Sequence, residues 1–189
     1  MGVALSLFIV MPAFAQQPGA GASDMGGTVG GGGLQASQSA SDAASPRDDA
    51  ASARLRIEGA ITDASGTGYI DLDWETLKQL TPHKVSTSTV VTDGVLLFEG
   101  VLMRSLMDYV GAHGQTVTAR ALNGYEVDIP TSDFEDFDVL LAWSANGQRL
   151  QAVDKGPFWI IYPRDQHDVL QDIRYDYRWV WQLVSLRVN

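Results

Sequence analysis

The sequence predicts an α+β domain with mixed, mostly antiparallel sheets and a few short helices. Short alternating or apolar runs recur between turn signals, helical spacing is confined to brief segments, and strands and helices do not follow a regular βαβ order. All five tryptophans and all six tyrosines lie beyond residue 53, which places the core there. A chain of 189 residues with 45% hydrophobic residues supports one substantial core.

The chain before that core reads differently. Residues 1–15 form an apolar run closed by Ala13-Phe14-Ala15, the small-x-small pattern of a secretory signal, with cleavage expected before Gln16 and a periplasmic or secreted destination. The run is too short to span a bilayer. No Lys or Arg precedes it, which points to an authentic start upstream of Met1 or otherwise misassigned. Residues 16–53 are mostly Gly, Ala, Ser, Gln and Asp, too poor in branched and aromatic side chains to offset the entropy of ordering, and read as a disordered linker. The folded unit is therefore expected at 54–189.

Within it, Arg54 to Gly59 alternates polar and apolar residues and opens the sheet, with Tyr69 to Leu72 as hairpin partner across the Ser65 to Gly68 turn. Asp73 caps a short helix, Trp74 to Leu80, which Thr81-Pro82 ends. Lys84 to Val91 is rich in β-branched residues and reads as a strand carrying Ser86, Thr87, Ser88 and Thr89 alternately on its two faces. Asp93-Gly94 turns it into Val95 to Phe98. Leu102 to Val110 has helical spacing, with Gly111 as its stop. Asn123-Gly124 joins strands Thr116 to Ala121 and Tyr125 to Ile129 in the best hairpin signal of the chain. A short acidic helix follows Pro130 and Thr131, then a strand Val139 to Trp143, a turn at Asn146-Gly147, and the apolar strand Phe158 to Tyr162, bracketed by Pro157 and Pro163. After a polar segment with one helical turn, Trp179 to Val188 reads as one long closing strand with Trp179 and Trp181 on a common face.

The chemistry-bearing residues are sparse. The formal net charge is -10, so nucleic acid is not an expected partner. The three histidines have no partner at metal-ligand spacing, and the acidic group Glu126 to Asp138 reads as a solvated helix face. No G-x-S-x-G or strand-linked G-x-G-x-x-G motif is present. The turn Asp154 to Pro157 places Lys155 at the mouth of a buried strand, a hook for an anionic group or simply a solvated turn. Lys155, Arg164, Arg174 and Arg178, with the hydroxyls of 86–89 and the Asn123–Tyr125 turn, form a mixture suited to a phosphate-bearing ligand.

Four stretches taken together resemble the oxidoreductase molybdopterin-binding domain family, the fold of the sulfite oxidase catalytic domain and its small exported bacterial relatives. They are Phe98-Glu99-Gly100-Val101, Asn123-Gly124-Tyr125 leading to Ile129-Pro130, Lys155-Gly156-Pro157 leading to Pro163, and Arg178-Trp179. The resemblance covers about 55–188. It implies a molybdopterin cofactor whose phosphate is held by basic side chains and amides, and it assigns cofactor-binding roles to Thr87, Thr89, Asn123, Tyr125, Lys155 and Arg178. It also implies a metal-ligating cysteine on the strand 84–91, and the chain has no cysteine. A hydroxyl is a poor replacement for a soft thiolate. The expectation is thus an exported, oxidoreductase-like protein without molybdenum–cysteine catalysis and with no catalytic or metal-ligating residue assigned. Its partner would be a small anionic ligand or pterin. The other expectation, of equal weight, is a cofactor-free ligand-binding or sensory domain, accessory to a membrane-bound partner protein.

Overall fold

The computed structural model describes residues 53–63 and 65–189, all within the second of the two units, Met1–Ser41 and Asp42–Asn189, into which the chain divides. The expected leader, and the expected linker apart from Ala53, lie outside the described residues.

Among the described residues ten strands make two sheets. The first contains β1 (Arg54–Gly59), β2 (Tyr69–Asp73), β5 (Thr116–Ala121), β6 (Glu126–Pro130) and β10 (Leu183–Val188), in the order β2-β1-β10-β5-β6. Only the β1–β10 pairing is parallel. Alternation sets the register: Leu55 and Ile57 turn inward, while Arg56 faces out and forms a two-pronged pair with its cross-strand partner Asp71 at 2.8 Å. Gly59 ends β1 at φ +96, and a Cβ there would lie 2.1 Å from the Val188 carbonyl oxygen, so the central parallel pair needs glycine at its end.

The second sheet, antiparallel throughout, contains β3 (Pro82–Ser88), β4 (Val95–Leu102), β7 (Leu140–Ala145), β8 (Gln148–Arg149) and β9 (Trp159–Ile161). The residues of β7 divide between two partners: β9 pairs with 140–142 and β8 with 144–145. Gly100 sits at a register shift in β4, where a Cβ would meet the Leu141 carbonyl oxygen at 2.0 Å.

Among the described residues four short α-helices, α1 (Trp74–Gln79), α2 (Met103–Tyr109), α3 (Ser132–Asp136) and α4 (Ile173–Asp176), complete the α+β architecture with two single-turn 3-10 segments at 164–166 and 168–171. Asp73 caps α1 by accepting the Thr76 N–H at 2.9 Å. One buried apolar cluster joins Leu55, Ile57 and Leu186 of the first sheet to Phe98, Leu140 and Trp159 of the second.

Two expected strands are shorter than their composition suggests. β3 stops at Ser88, because the Thr89 hydroxyl accepts the Val91 N–H at 3.1 Å and pairs with the Thr92 hydroxyl at 2.7 Å, closing a local turn. The closing strand begins at Leu183 rather than Trp179. Gln182 takes a left-handed backbone at φ 50, and its side-chain amide donates to the Ala152 and Asp154 carbonyls. Trp179 and Trp181 therefore do not share a strand face: Trp179 is buried and Trp181 is 37% exposed.

Candidate functional site

The segment from α4 to β10, residues 175–182, is anchored from behind by one side chain. Arg178 reaches back to Asp133 on α3, a carboxylate only 5% exposed, in a very short ion pair. The buried Tyr162 hydroxyl donates to the same carboxylate oxygen at 2.7 Å. Burial works against the Arg178 charge, but the hydrogen bond and attraction to Asp133 outweigh it and hold its pKa above the ordinary value. Burial and the neighbouring carboxylate push Tyr162 well up, so it remains a donor. The guanidinium also lies 4.7 Å from the Tyr175 ring centroid. Asp133 was expected on a solvated helix face; it is instead the buried centre of a three-residue network.

With Arg178 turned inward, the rest of the segment walls a cleft of about 270 Å³ against the β5–β6 hairpin. Tyr125, Tyr177, Trp179 and Trp181 line it with Ala121, Asn123, Asp176 and Val180. The Tyr125 hydroxyl donates to the Tyr177 carbonyl at 2.8 Å, which ties hairpin to segment across the cleft. Burial, and to a lesser extent Tyr177, raises the Tyr125 pKa, so the phenol stays protonated at neutral pH. Asn123 uses its Oδ1 to accept the Tyr125 N–H at 3.0 Å, leaving its Nδ2 as a donor. Two polar atoms of the lining residues are shielded from water with no hydrogen-bond partner, Asp176 Oδ1 and the Trp179 indole Nε1. Such atoms cost free energy in the folded state.

Of the six residues assigned from the sequence, Asn123 and Tyr125 face this cleft together. Arg178 borders it in sequence but directs its charge to Asp133. Lys155 pairs with Asp154 at 3.0 Å, lies 5.9 Å from the Trp159 ring centroid, and reaches the cleft segment only through its carbonyl, which accepts the Gln182 N–H. Thr87 lies on β3 of the second sheet and Thr89 just past its end, in a corner of engaged hydroxyls. Thr87 accepts the Asp165 N–H at 3.3 Å, and Ser88 donates to Asp165 through its N–H and its hydroxyl, both at 2.6 Å. Those two bonds, opposed by slight burial and aided by Arg164, hold Asp165 below the usual carboxylate range. Among the described residues no three His, Cys, Asp or Glu side chains stand together as a metal site.

Asp133, Tyr162, Asp176 and Tyr177 were not picked out from the sequence, and Trp181 was read only as sharing a strand face with Trp179. A tyrosine inside an apolar strand was the available signal for the first pair, since a buried phenol needs an acceptor. Asp176 carried none, because only the fold brings it beside the hairpin.

The sequence profile of the oxidoreductase molybdopterin binding domain matches residues 42–165. The chain belongs to this family. The sulfane dehydrogenase SoxCD from Paracoccus pantotrophus, known from a crystal structure, shares the fold with a TM-score of 0.54 at 17% identity, over 74% of this chain and 38% of that one. The chain therefore spans well under half of that protein's length. No curated protein matches. Within this molybdopterin-domain fold the family match ends at residue 165, before the segment that supplies Asp176, Tyr177, Trp179, Val180 and Trp181.

Proposed function

We propose that this chain is an exported, ligand-binding member of the molybdopterin-domain family that takes a small molecule in the cleft beside the β5–β6 hairpin and does not carry out molybdenum–thiolate chemistry. The observation that carries the reading is the cleft: four aromatic walls, and two lining residues whose buried polar atoms lack partners within the protein. A site of this character offers a ligand aromatic faces that a sealed core would not.

The family's cofactor fits the residues poorly. Molybdenum in a thiolate site needs a soft ligand, and this sequence contains no cysteine. The hydroxyls of Thr87, Ser88 and Thr89 are committed to Asp165, Thr92 and backbone groups. The cations that would hold a phosphate, Lys155 and Arg178, are paired with carboxylates. The cleft volume of about 270 Å³ lies just below the roughly 300–1,000 Å³ typical of ligand sites, room for a single ring system or a compact molecule. What this chain's own residues can do is enclose such a group between Tyr125, Tyr177 and Trp181, orient it from Asn123, and exclude water on the Trp179 side.

A second reading, a molybdopterin-type pterin bound through its ring alone, is favoured by the family match and by the juxtaposition of an amide donor with a carboxylate. Protein recovered from its native compartment separates the two. Metal analysis and pterin fluorescence after denaturation are expected to give neither molybdenum nor pterin at stoichiometric levels. Stoichiometric pterin without metal establishes the second reading, and stoichiometric molybdenum overturns both. N-terminal sequencing of the same material is expected to begin at Gln16; an intact apolar leader overturns the export proposal.

A further inference from the structure

We infer that the cleft is an organic-cation site, selective for a small molecule bearing a methylated ammonium group; the inference rests on the cleft being the ligand site. Three features converge. First, four of the eight lining side chains are aromatic, two Tyr and two Trp, and Tyr177 and Trp181 remain 60% and 37% exposed, so their rings are available rather than consumed by the core. Aromatic faces attract cations through the ring quadrupole, and tryptophan does so best.

Second, Asp176 brings an uncompensated negative charge to the same wall. Its Oδ1 accepts no hydrogen bond, and none of the ion pairs among the described residues includes it. The basic residues nearest in sequence are already engaged: Arg174 pairs with Asp172 at 3.0 Å, and Arg178 pairs with Asp133. A carboxylate without a counter-ion beside an aromatic surface lowers the potential of the space it faces. A cation placed there recovers that energy more effectively than it would in bulk water.

Third, the hydrogen-bonding inventory discriminates among cations. A primary ammonium presents three N–H donors and needs three acceptors. The cleft's side-chain acceptors are few: the Asn123 Oδ1 is occupied by the Tyr125 N–H, the Asp176 Oδ1 is shielded from contact and acts through its charge, and the Tyr125 hydroxyl, which donates to the Tyr177 carbonyl, has only its oxygen left to accept. A quaternary ammonium has no N–H to satisfy, and its methyl groups suit aromatic walls. Besides the shielded Trp179 Nε1, the lining offers Asn123 Nδ2 as a donor to recognise a hydroxyl or other neutral acceptor on the ligand's tail. An anionic tail would meet Asp176 at close quarters. The compact volume limits the ligand to a few heavy atoms around the ammonium centre.

Elsewhere the fold already uses this chemistry internally, with Arg56 over Tyr69 at 4.1 Å and Arg178 over Tyr175 at 4.7 Å. In the cleft the aromatic groups are present and the cation is supplied from outside.

The test is titration of the folded chain with choline, tetramethylammonium, ammonium and the neutral carbon isostere 3,3-dimethylbutan-1-ol, followed by calorimetry and by tryptophan fluorescence. Choline is expected to bind saturably and at least about tenfold more tightly than the isostere, the ratio that a cation–π contact plus a carboxylate supports. Ammonium is expected to bind more weakly than tetramethylammonium. Asp176→Asn and, separately, Trp181→Ala are each expected to weaken choline about tenfold. Trp181 is exposed enough that its variant remains folded, which a thermal melt confirms. Equal binding of choline and the isostere overturns the cation inference while leaving a ligand site in place. Binding of pterin-6-carboxylate in the cleft without binding of choline overturns it in the same way. If none of these probes binds and neither variant alters any ligand recovered with the native protein, the cleft reading fails as well.

Discussion

The two sides of the 175–182 segment differ in how completely their polar groups are partnered. Behind it, Asp133, Tyr162 and Arg178 form a buried network in which one carboxylate satisfies a phenol and a guanidinium. In front, Asp176 and Trp179 each leave a shielded polar atom without a partner, and aromatic rings face an open cleft. Paired charge in a low-dielectric interior fixes a conformation, whereas unpaired polar groups carry a cost in the folded state. The rear network anchors the segment, and the proposed ligand would meet its front.

The largest expected effect breaks the rear side. Asp133→Ala strands the Arg178 charge and the Tyr162 hydroxyl in the interior and is expected to cost about 3–5 kcal/mol, read from the urea midpoint. Adding Arg178→Met to that variant should restore a large part of the loss, because the uncompensated charge is then gone. A loss below about 1 kcal/mol for Asp133→Ala would mean that the network is wet and that the contrast with the cleft is false. Trp179→Ala, at the boundary between the two sides, is expected to cost a similar amount of about 3–5 kcal/mol, since the ring is 2% exposed, and to abolish the cleft wall together with stability.

A smaller effect distinguishes the rear network from the other polar cluster, the corner at the end of β3. Asp165 is an exposed residue whose pKa is depressed by two bonds from Ser88. A depressed carboxylate contributes stability above its unfolded pKa of about 4 and loses it as pH falls through the folded value. Solvent screening limits the amount to no more than about 1 kcal/mol. The difference in stability between wild type and Asp165→Asn is therefore expected to be constant at neutral pH and to shrink below about pH 4. A difference that grows on acidification would contradict the assignment.

How much of this was legible beforehand follows from the range of the interactions involved. Strand and turn positions such as Arg54–Gly59 and Asn123-Gly124 could be read because they depend on alternation and turn chemistry within a few residues. The fold class and the family resemblance were readable for the same reason, since the family's short stretches keep their order. The ends of β3 and the start of β10 were not, because a threonine hydroxyl and the docking of Gln182 on the 152–154 carbonyls override β propensity. Asn123 and Tyr125 were singled out through the family resemblance, carried by a turn with its own signature, and the fold sets both on the cleft wall. Asp176 and Asp133 were missed because a carboxylate's meaning depends on what the fold sets opposite it, here an aromatic hairpin in one case and Arg178 in the other.

The smallest expected effect concerns the tie across the front. Tyr125→Phe removes one hydrogen bond, from the hydroxyl to the Tyr177 carbonyl, at a residue that is partly exposed. The net value of such a bond is about 0.5–1.5 kcal/mol, and water can replace it here, so the lower end applies. Stability should barely change while the cleft loosens, because this is the one side-chain hydrogen bond joining hairpin to segment among the cleft-lining residues. Hydrogen exchange is expected to rise at 122–125 and 176–181 and to stay unchanged around Tyr162, where Asp133 still holds Arg178. Faster exchange on both sides would show that the hairpin tie, and not the buried carboxylate, positions the segment.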